Sequence, residues 1–270
     1  MLNLKKKTLL LPLALALLGQ AALAGDENDW RLRIKKEANG WSAHFSGTSE
    51  YGPSGRRIKG SGNIVEKARA VSSFSKVRLE GPFDVRINQA GSEGLKVSAD
   101  DNIEPLVESR VEGDTLILRI QERSGYSTRH APVVWLDVKQ LQALQISGSG
   151  DVSVERLKGE SFNVSLSGSG DLAIGMLEVK QLSAHLSGSG DVHVAGRADQ
   201  QTWALHGSGD VEARSLGGAS AKAQLSGSGD LSLGVVDILD VNLSGSGDLS
   251  YAGRPKLTQR VSGSGEVSAR

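Results

Sequence analysis

Apolar and polar residues alternate with a period of two through the C-terminal half of the chain, on both sides of a glycine-rich motif. One apolar residue stands directly before each motif: Ile146, Leu166, Leu186, Leu205, Leu225, Leu243 and Val261. Another follows each motif: Val152, Leu172, Val192, Val211, Leu231, Leu249 and Val267. This alternation predicts strands with one buried face. A helix is disfavoured because its apolar residues recur every three or four positions and glycine pairs would break it.

The motif is Ser-Gly-Ser-Gly-Asp, with His206 in place of the first serine in one copy and Glu266 in place of the acid in another. Copies begin at residues 147, 167, 187, 206, 226, 244 and 262, so successive starts lie 20, 20, 19, 20, 18 and 18 residues apart. Each repeat is interpreted as a strand, a tight turn, a second strand and a looser turn. A unit of ~20 residues cannot bury its own apolar face, whereas stacked units bury a continuous one. The sequence therefore predicts an all-β solenoid of parallel coils rather than a propeller, whose blades need ~40 residues.

Two glycines occupy each predicted turn. We interpret them as structural residues that supply a backbone conformation with positive φ. They are Gly148, Gly150, Gly168, Gly170, Gly188, Gly190, Gly207, Gly209, Gly227, Gly229, Gly245, Gly247, Gly263 and Gly265.

Degraded copies of the motif extend the pattern upstream. Gly81–Ile87 matches Gly148–Val154 in spacing, and Gly60–Ile64 resembles a further copy with Asn63 at the acid position. The solenoid is therefore expected to begin near residue 60 and to be less regular in its N-terminal half. The expected divisions are a signal peptide (1–24), a polar segment that is disordered or caps the solenoid (25–59), an irregular solenoid part (60–146) and the regular repeats (147–270).

The first 24 residues have the three parts of a secretory signal peptide. Lys5, Lys6 and Lys7 precede an apolar run from Leu9 to Leu18, and Ala22-Leu23-Ala24 forms a small-residue cleavage site. The run is too short for a membrane-spanning helix, which needs ~20 residues. We expect cleavage after Ala24, a mature chain without a transmembrane segment, and a periplasmic, secreted or cell-surface location.

Composition excludes several kinds of chemistry. The 270 residues include no cysteine, so disulfides, thiolate catalysis and cysteine-ligated zinc are excluded. The formal net charge is zero, and no basic stripe indicates nucleic-acid binding. No cofactor is predicted. Aromatic residues make up only 4% of the chain, so a core of aliphatic side chains is expected.

The acidic residue of each motif is expected to stack on its equivalents in neighbouring coils. Unpaired carboxylates ~4.8 Å apart repel one another, so something must offset their charge. The favoured explanation is that each acid accepts hydrogen bonds from the backbone of its own turn. The alternative is calcium, which prefers oxygen ligands. The calcium candidates are Asp151, Asp171, Asp191, Asp210, Asp230, Asp248 and Glu266.

Other reactive residue types give weaker signals. The motif serines recur seven times and are interpreted as turn residues, because a catalytic serine would occur once. His185, His193 and His206 lack metal-ligand spacing. Trp135 and Trp203 are candidates for core packing or for a sugar platform, and at least partial burial is favoured. No catalytic residue is predicted.

The run Phe74-Ser75-x-Val77-x-Leu79-x-Gly81-Pro82-Phe83-Asp84-Val85-x-Ile87, followed by Gly94-Leu95-Lys96-Val97, resembles the head GIN domain family. The name of this family links it to autotransporter adhesins, and the resemblance covers about residues 60–270. It implies a right-handed parallel β-helix and an envelope location. It transfers no catalytic or binding residues.

Two classes of function remain. The favoured one is an exported, non-catalytic envelope protein, a structural or adhesin-like binding module that contacts glycan or protein. Its partner cannot be identified from the sequence. The alternative is a polysaccharide-active β-helix enzyme, a lyase or hydrolase. Such enzymes need a unique cluster of catalytic side chains, usually carried by long loops, whereas these repeats are nearly identical and their loops are short.

Overall fold

The computed structural model describes residues 31–37, 40–46, 49–51, 57–122 and 124–270. These residues form 23 strands and one 3-10 helix, Glu104–Leu106. The first eleven strands are β1 Arg31–Glu37, β2 Gly40–Ser46, β3 Ser49–Tyr51, β4 Ile58–Lys59, β5 Ile64–Arg69, β6 Lys76–Glu80, β7 Asp84–Gln89, β8 Gly94–Asp100, β9 Val107–Glu112, β10 Thr115–Ile120 and β11 Tyr126–Thr128. The others are β12 Val133–Val138, β13 Ala143–Ile146, β14 Val152–Leu166, β15 Leu172–Leu186, β16 Val192–Leu205, β17 Val211–Gly217, β18 Ser220–Leu225, β19 Leu231–Val235, β20 Ile238–Leu243, β21 Leu249–Ala252, β22 Lys256–Val261 and β23 Val267–Ala269.

The repeats form a solenoid of stacked parallel coils. Strands β14, β15 and β16 pair in parallel along nearly their whole lengths, and each bends around the looser turn of its coil. From β17 onward that turn separates the two strands of a coil, which pair with their equivalents in the neighbouring coils. We call the strands before the glycine-rich turn the pre-turn face and those after it the post-turn face. The predicted fold class, an all-β solenoid of parallel coils, is confirmed.

The alternating residues explain why the coils stack. The apolar residue before the turn is buried in every repeat but the last, as Leu166, Leu186 and Leu205 show in three successive coils, whereas Val261 is 43% exposed. The apolar residues after each acid close the core from the other face. Aliphatic columns therefore run the length of the solenoid, which is how a chain with few aromatics fills its interior.

Trp203 is the largest of the few aromatic side chains in this mainly aliphatic core. Its side chain is 1% exposed, and its strand neighbours in the adjacent coils are both small, Ala184 and Ala223. The indole Nε1 donates a hydrogen bond to Oε1 of the buried Gln201, at 3.2 Å. Small residues above and below thus make room for one large aromatic side chain, and Trp203 is a core residue rather than a sugar platform.

The N-terminal part uses coils of the same kind but in a different order. Strands β6 and β7 form one coil, and β13 and the start of β14 stack on it in parallel. The coil on the other side of β6 and β7 consists of β10 and β12. The chain therefore crosses from β12, on one side of the coil formed by β6 and β7, to β13 on its other side.

Antiparallel strands cover the end of the solenoid below β10 and β12. Strand β8 pairs antiparallel with β12, β9 with β10, and β5 with β8. The segment Gly60–Ile64 is therefore not a stacked repeat, and its interpretation as a further coil was wrong. The Gly62 N–H instead donates to the buried Asp100 carboxylate, at 2.5 Å.

An ion-pair cluster around the buried Glu104 carboxylate holds this cap in place. The Glu104 carboxylate is 3% exposed and contacts Lys67 Nζ at 2.7 Å and Arg69 Nη2 at 2.5 Å. Burial alone would raise the pKa of Glu104, but the hydrogen bonds and charges of Lys67 and Arg69 hold it below its ordinary value. Because both cations lie on β5, the cluster ties this strand to the segment between β8 and β9.

The signal-peptide prediction for residues 1–24 lies outside the described residues. Of the predicted polar segment 25–59, three backbone stretches and residues 57–59 are described. Strands β1 and β2 form an antiparallel hairpin, and β3 and β4 flank β11. Within the part of the chain that is described, no helix has the length and hydrophobicity needed to cross a membrane.

Candidate functional site along the acid row

The glycine-rich turns stack backbone against backbone. A Cβ atom built on Gly190 would lie 2.0 Å from the carbonyl oxygen of Gly170, and one on Gly188 would lie 1.9 Å from that of Gly168. The motif glycines are not among the described glycines with positive φ, which are Gly62, Gly113, Gly196 and Gly253. The expectation of positive φ was therefore wrong. Glycine is needed at these positions because the preceding coil leaves no room for a side chain.

Phe83 shows that a side chain is allowed at a motif-glycine position when no tight turn stacks against it. It occupies the position of the second motif glycine in the coil formed by β6 and β7, and the carbonyl of Phe83 lies beneath Gly150. On its other side the chain passes from β10 to β12 through a different loop, with no glycine-rich turn to exclude a side chain. The Phe83 ring is 2% exposed and fills this space. The Gly-Pro-Phe-Asp variant therefore marks where the stack of tight turns begins.

The acids form a hydrogen-bonded row between coils. Asp151 Oδ1 accepts from the Asp171 N–H at 2.8 Å, and Asp171 Oδ1 accepts from the Asp191 N–H at 2.8 Å. The pattern continues to the last repeat, where Asp248 Oδ1 accepts from the Glu266 N–H at 2.8 Å. The sequence-based expectation was that each acid caps its own turn, and this was wrong. Each carboxylate binds the next coil, so the row fixes the register of successive turns.

Asp84 begins this row, a role that the sequence comparison of Gly81–Ile87 did not assign to it. Its Oδ1 accepts the Asp151 N–H at 3.1 Å, and its side chain is 7% exposed. Burial is the main cause that raises the Asp84 pKa to about 6, and the charge of Asp151 adds to it. Burial also raises the pKa of Asp151, while its hydrogen bond from Asp171 opposes the shift. The row therefore runs from a buried N-terminal end to a more exposed C-terminal end.

Replacing Asp84 with asparagine should remove a pH-dependent loss of stability. The folded protein holds the Asp84 proton up to pH about 6, whereas an unfolded aspartate releases it near its ordinary value of 3.8. Stability from this group is therefore complete below pH ~4 and lost as pH rises through ~6. Relative to Asp84→Asn, the parent should lose about 2–3 kcal/mol between pH 4 and 7.5.

Urea unfolding of both proteins at these two pH values measures this difference. The side-chain amide introduced by Asp84→Asn keeps an oxygen that can accept the Asp151 N–H, so the turn itself should be preserved. A stability difference that is the same at both pH values would contradict the assignment of the raised pKa to Asp84.

Calcium should not be needed for folding. One oxygen of each aspartate from Asp84 to Asp248 already accepts a backbone N–H, which offsets its charge in part. In the described residues no cluster of three or more histidines, aspartates or glutamates has the arrangement of a metal site. We predict that a chelator leaves the thermal melt, followed by circular dichroism, unchanged. A fall of several degrees that only calcium restores would make the acid row a metal site.

A groove lies beside the C-terminal half of the acid row, on the post-turn face, with a volume of about 360 Å³. We call it the acid groove. Its acidic wall consists of Asp191, Asp210, Asp230 and Asp248. Its other lining residues are His193, Val211, Glu212, Arg214, Ser232, Ser250, Ser268 and Arg270.

Small residues open this groove. The second residue after each acid points outward, and in the last three repeats it is a serine: Ser232, Ser250 and Ser268. The Ser232 and Ser250 hydroxyls are 3.2 Å apart, and Arg270 Nη2 donates to Ser232 Oγ at 3.1 Å. The sequence analysis missed this site. The recurring serine two residues after the acid was the available signal.

Trp135 lies on the same face at the other end of the solenoid. It is half-buried, with Lys96 Nζ at 4.4 Å and the Arg86 guanidinium carbon at 5.9 Å from its ring centroid. These distances are typical of cation–π contacts.

On the pre-turn face, the rings of His185 and His206 are 5.1 Å apart, and His206 Nδ1 lies 2.6 Å from Ser226 Oγ. These histidines are in neighbouring coils.

Stacked coils, an inter-coil acid row and continuous outward rows of side chains define a β-solenoid repeat protein. Its family follows from the sequence match: residues 73–255 fit the family described as "Putative auto-transporter adhesin, head GIN domain". The chain belongs to this family, which confirms the resemblance seen in the sequence. A search of curated proteins found no match.

Solved structures share the fold. A "putative adhesin" from Bacteroides fragilis superposes with a TM-score of 0.76 at 24% identity, over 79% of this chain and 100% of that one. A "putative adhesin" from Parabacteroides merdae gives 0.65 at 21% identity, over 79% and 99%. A "Putative lipid binding protein" from Parabacteroides distasonis gives 0.63 at 24% identity, over 80% and 100%. At these identities the likeness establishes the fold alone.

Proposed function

We propose that this chain is an exported, non-catalytic envelope protein, an adhesin-like module that binds glycan or protein through the outer faces of its solenoid. The supporting observation is a contrast between the inside and the outside of the coils. The inward positions directly beside the turns repeat Val, Leu or Ile, whereas the outward row on the post-turn face carries cationic, aromatic, small, acidic and hydroxyl side chains along the stack, with neighbouring coils sharing one residue type only in the last three. A constant scaffold with a variable surface is typical of repeat proteins that bind along their length.

This outward row runs the length of the post-turn face. Strand pairing, antiparallel between Lys96 and Trp135 and parallel for the rest, places its members one strand spacing apart, ~4.8 Å. In register order it consists of Lys96, Trp135, Arg86, Ser153, Ala173, His193, Glu212, Ser232, Ser250 and Ser268. One end is cationic with an aromatic residue and the other is hydroxylated beside acids. The row therefore offers chemically distinct sites to an extended partner.

The family description supports an adhesin-like role, and so do the descriptions of two of the structural neighbours. The lipid-binding description of a third neighbour belongs to that protein.

Export is part of the proposal and rests on the signal-peptide pattern of residues 1–24. N-terminal sequencing of protein recovered outside the cytoplasm should give Gly25 as the first residue, and a mature chain that still begins at Met1 would contradict export.

A pull-down tests the binding role. Purified mature chain is immobilised and exposed to separate envelope glycan and envelope protein fractions. One fraction should be retained, and substitution of outward residues such as Trp135→Ala should reduce retention while the thermal melt shows that the protein is still folded at the assay temperature. Retention that survives every outward substitution would contradict binding through these faces. Cleavage of a uronate polymer by the same preparation would instead favour the enzyme alternative.

A further inference from the structure

Two histidines from neighbouring coils meet on the pre-turn face. His185 lies on β15, and His206 begins the glycine-rich turn of the next coil, where the other six repeats carry serine. The His206 N–H donates to the carbonyl of Leu186, the residue after His185, at 2.8 Å. Ala204, which pairs directly with His185, is too small to separate the two rings. The backbone therefore holds two exposed imidazoles side by side.

The separation of the two rings suits one shared metal ion. Their centroids are 5.1 Å apart and their planes are inclined by 56°, so the rings are not stacked face to face. Two imidazoles that bind one ion through nitrogens at ~2.1 Å, with a square or tetrahedral angle at the ion, have centroids about 4.5–5.3 Å apart. The observed separation falls in this range, so an ion can contact both rings after side-chain rotation alone.

Ser226, in the following coil, determines which nitrogen of His206 is left for a ligand. Its hydroxyl oxygen lies 2.6 Å from Nδ1 of His206. Ser147 and Ser244, at the same position in other repeats, instead donate their hydroxyls to a backbone carbonyl of the preceding coil. A histidine that binds a metal through one ring nitrogen commonly donates from the other to an oxygen partner. In the tautomer whose Nδ1–H donates to Ser226, the lone pair of Nε2 is available to an ion.

The surroundings of the pair favour a transition-metal ion over calcium or magnesium. Imidazole is a ligand for Cu²⁺, Ni²⁺ and Zn²⁺, whereas calcium and magnesium take oxygen ligands. Residues 181–190, 200–209 and 220–229 form the pre-turn strands and turns around the pair. They contain no aspartate or glutamate, and Lys222 is their one charged residue. Among divalent first-row ions Cu²⁺ binds nitrogen ligands most tightly, so it is the ion expected here.

We propose that His185 and His206 form a binding site for a divalent transition-metal ion, with Cu²⁺ bound most tightly. Nε2 of His206 and one ring nitrogen of His185 are the protein ligands, and Ser226 holds the His206 ring through Nδ1. Two protein ligands leave coordination positions open to water or to a donor group of a bound partner. The site is separate from the acid row. It goes beyond the proposed binding function and does not depend on it.

Substitutions taken from the repeats themselves test the site with little disturbance of the fold. His206→Ser introduces the residue that the other six repeats carry at this position, and His185→Ala introduces the one that pairs with it in the next coil. His130→Ala and His193→Ala are matched controls, since each removes one imidazole outside the pair. Ser226→Ala keeps both ligands but removes the partner of Nδ1. Thermal melts followed by circular dichroism confirm that each protein is folded.

Calorimetry with copper(II) chloride measures binding to the mature chain, without an affinity tag and near neutral pH. The parent and the controls His130→Ala and His193→Ala should bind one ion with equal affinity. His185→Ala and His206→Ser should each bind at least about tenfold more weakly, through loss of a ligand. Ser226→Ala should weaken binding about fivefold. Electron paramagnetic resonance with one equivalent of Cu²⁺ should detect two imidazoles in the parent and one in either ligand variant.

Three results would overturn the inference. The first is no Cu²⁺ binding that depends on the histidine pair. The second is an affinity that His130→Ala or His193→Ala lowers as much as His206→Ser does. The third is displacement of Cu²⁺ by calcium at a similar concentration, which would assign the ion to carboxylates. Parent-like binding by Ser226→Ala would overturn the role given to Ser226. Retention of an envelope fraction tests the proposed function separately from all of these.

Discussion

Gly190→Val should destabilise the protein by at least about 4 kcal/mol, the range of a severe core defect. The first side-chain carbon alone would lie 2.0 Å from the Gly170 carbonyl oxygen. This oxygen belongs to a backbone that cannot retreat easily, because the neighbouring turns are bonded to each other, as the Ser189 N–H is to Gly168 O at 3.1 Å. The coils must therefore separate at the turn. Urea unfolding followed by circular dichroism measures the loss.

Two controls distinguish close stacking from a general effect of losing glycine. At Gly159 in a looser turn, the nearest atom to an added Cβ is 4.0 Å away, so Gly159→Ala should change stability by less than about 1 kcal/mol. Gly265→Val meets the Gly247 carbonyl at 2.0 Å but lies in the last coil, which can detach locally. Its global loss should be smaller than that of Gly190→Val. Equal, small losses at positions 190 and 265 would argue against stacked turns.

Trp203→Ala should cost about 3–5 kcal/mol, because it removes the largest fully buried side chain of the described core. Its strand neighbours Ala184 and Ala223 are too small to fill the resulting cavity, and Gln201 would lose its indole donor. The same urea titration measures this loss, and an unchanged unfolding slope would show that the compactness of both states is preserved.

Trp135→Ala is the matched control for Trp203→Ala. That indole is half-buried on the outer face and contacts Lys96 and Arg86, so its loss should cost about 1 kcal/mol or less. A second test is rescue: Ala223→Leu should recover part of the stability of Trp203→Ala, because it refills the same column. Similar losses for the two tryptophans, or no rescue, would contradict the packing described here.

The period-two alternation and the motif spacing were enough to predict the solenoid. These two patterns are informative because equivalent residues have similar environments in successive coils. Each repeat therefore gives an independent example of the same alternation. The same logic matched Gly81–Ile87 to the regular repeats, and the structure stacks Gly148 directly on Gly81. It failed at Gly60–Ile64, where the cap pairs antiparallel and sequence similarity to a repeat no longer implies stacking.

The details of the turns could not be predicted because they depend on distances between coils. A glycine can be required either by a backbone conformation with positive φ or by a neighbouring backbone that leaves no room for a side chain. The sequence alone does not distinguish these two reasons. A row of aspartates is likewise compatible with capping the same turn or the next one. The acid groove depends on the outward residues of five neighbouring coils and on Arg270, whose contact with Ser232 spans 38 positions of the chain. No single repeat contains that information.

The crossing from β12 to β13 has a consequence for the order in which the molecule assembles. In a simple solenoid each coil can add to one that is already complete, in the direction of synthesis or export. Here the coil of β6 and β7 has both of its neighbours, β10 with β12 and β13 with β14, later in the chain. It cannot be enclosed until residues up to about 154 have emerged. We therefore expect the N-terminal part, up to about residue 154, to fold as one cooperative unit with a slow, non-local first step, and the six remaining repeats to add to it one coil at a time.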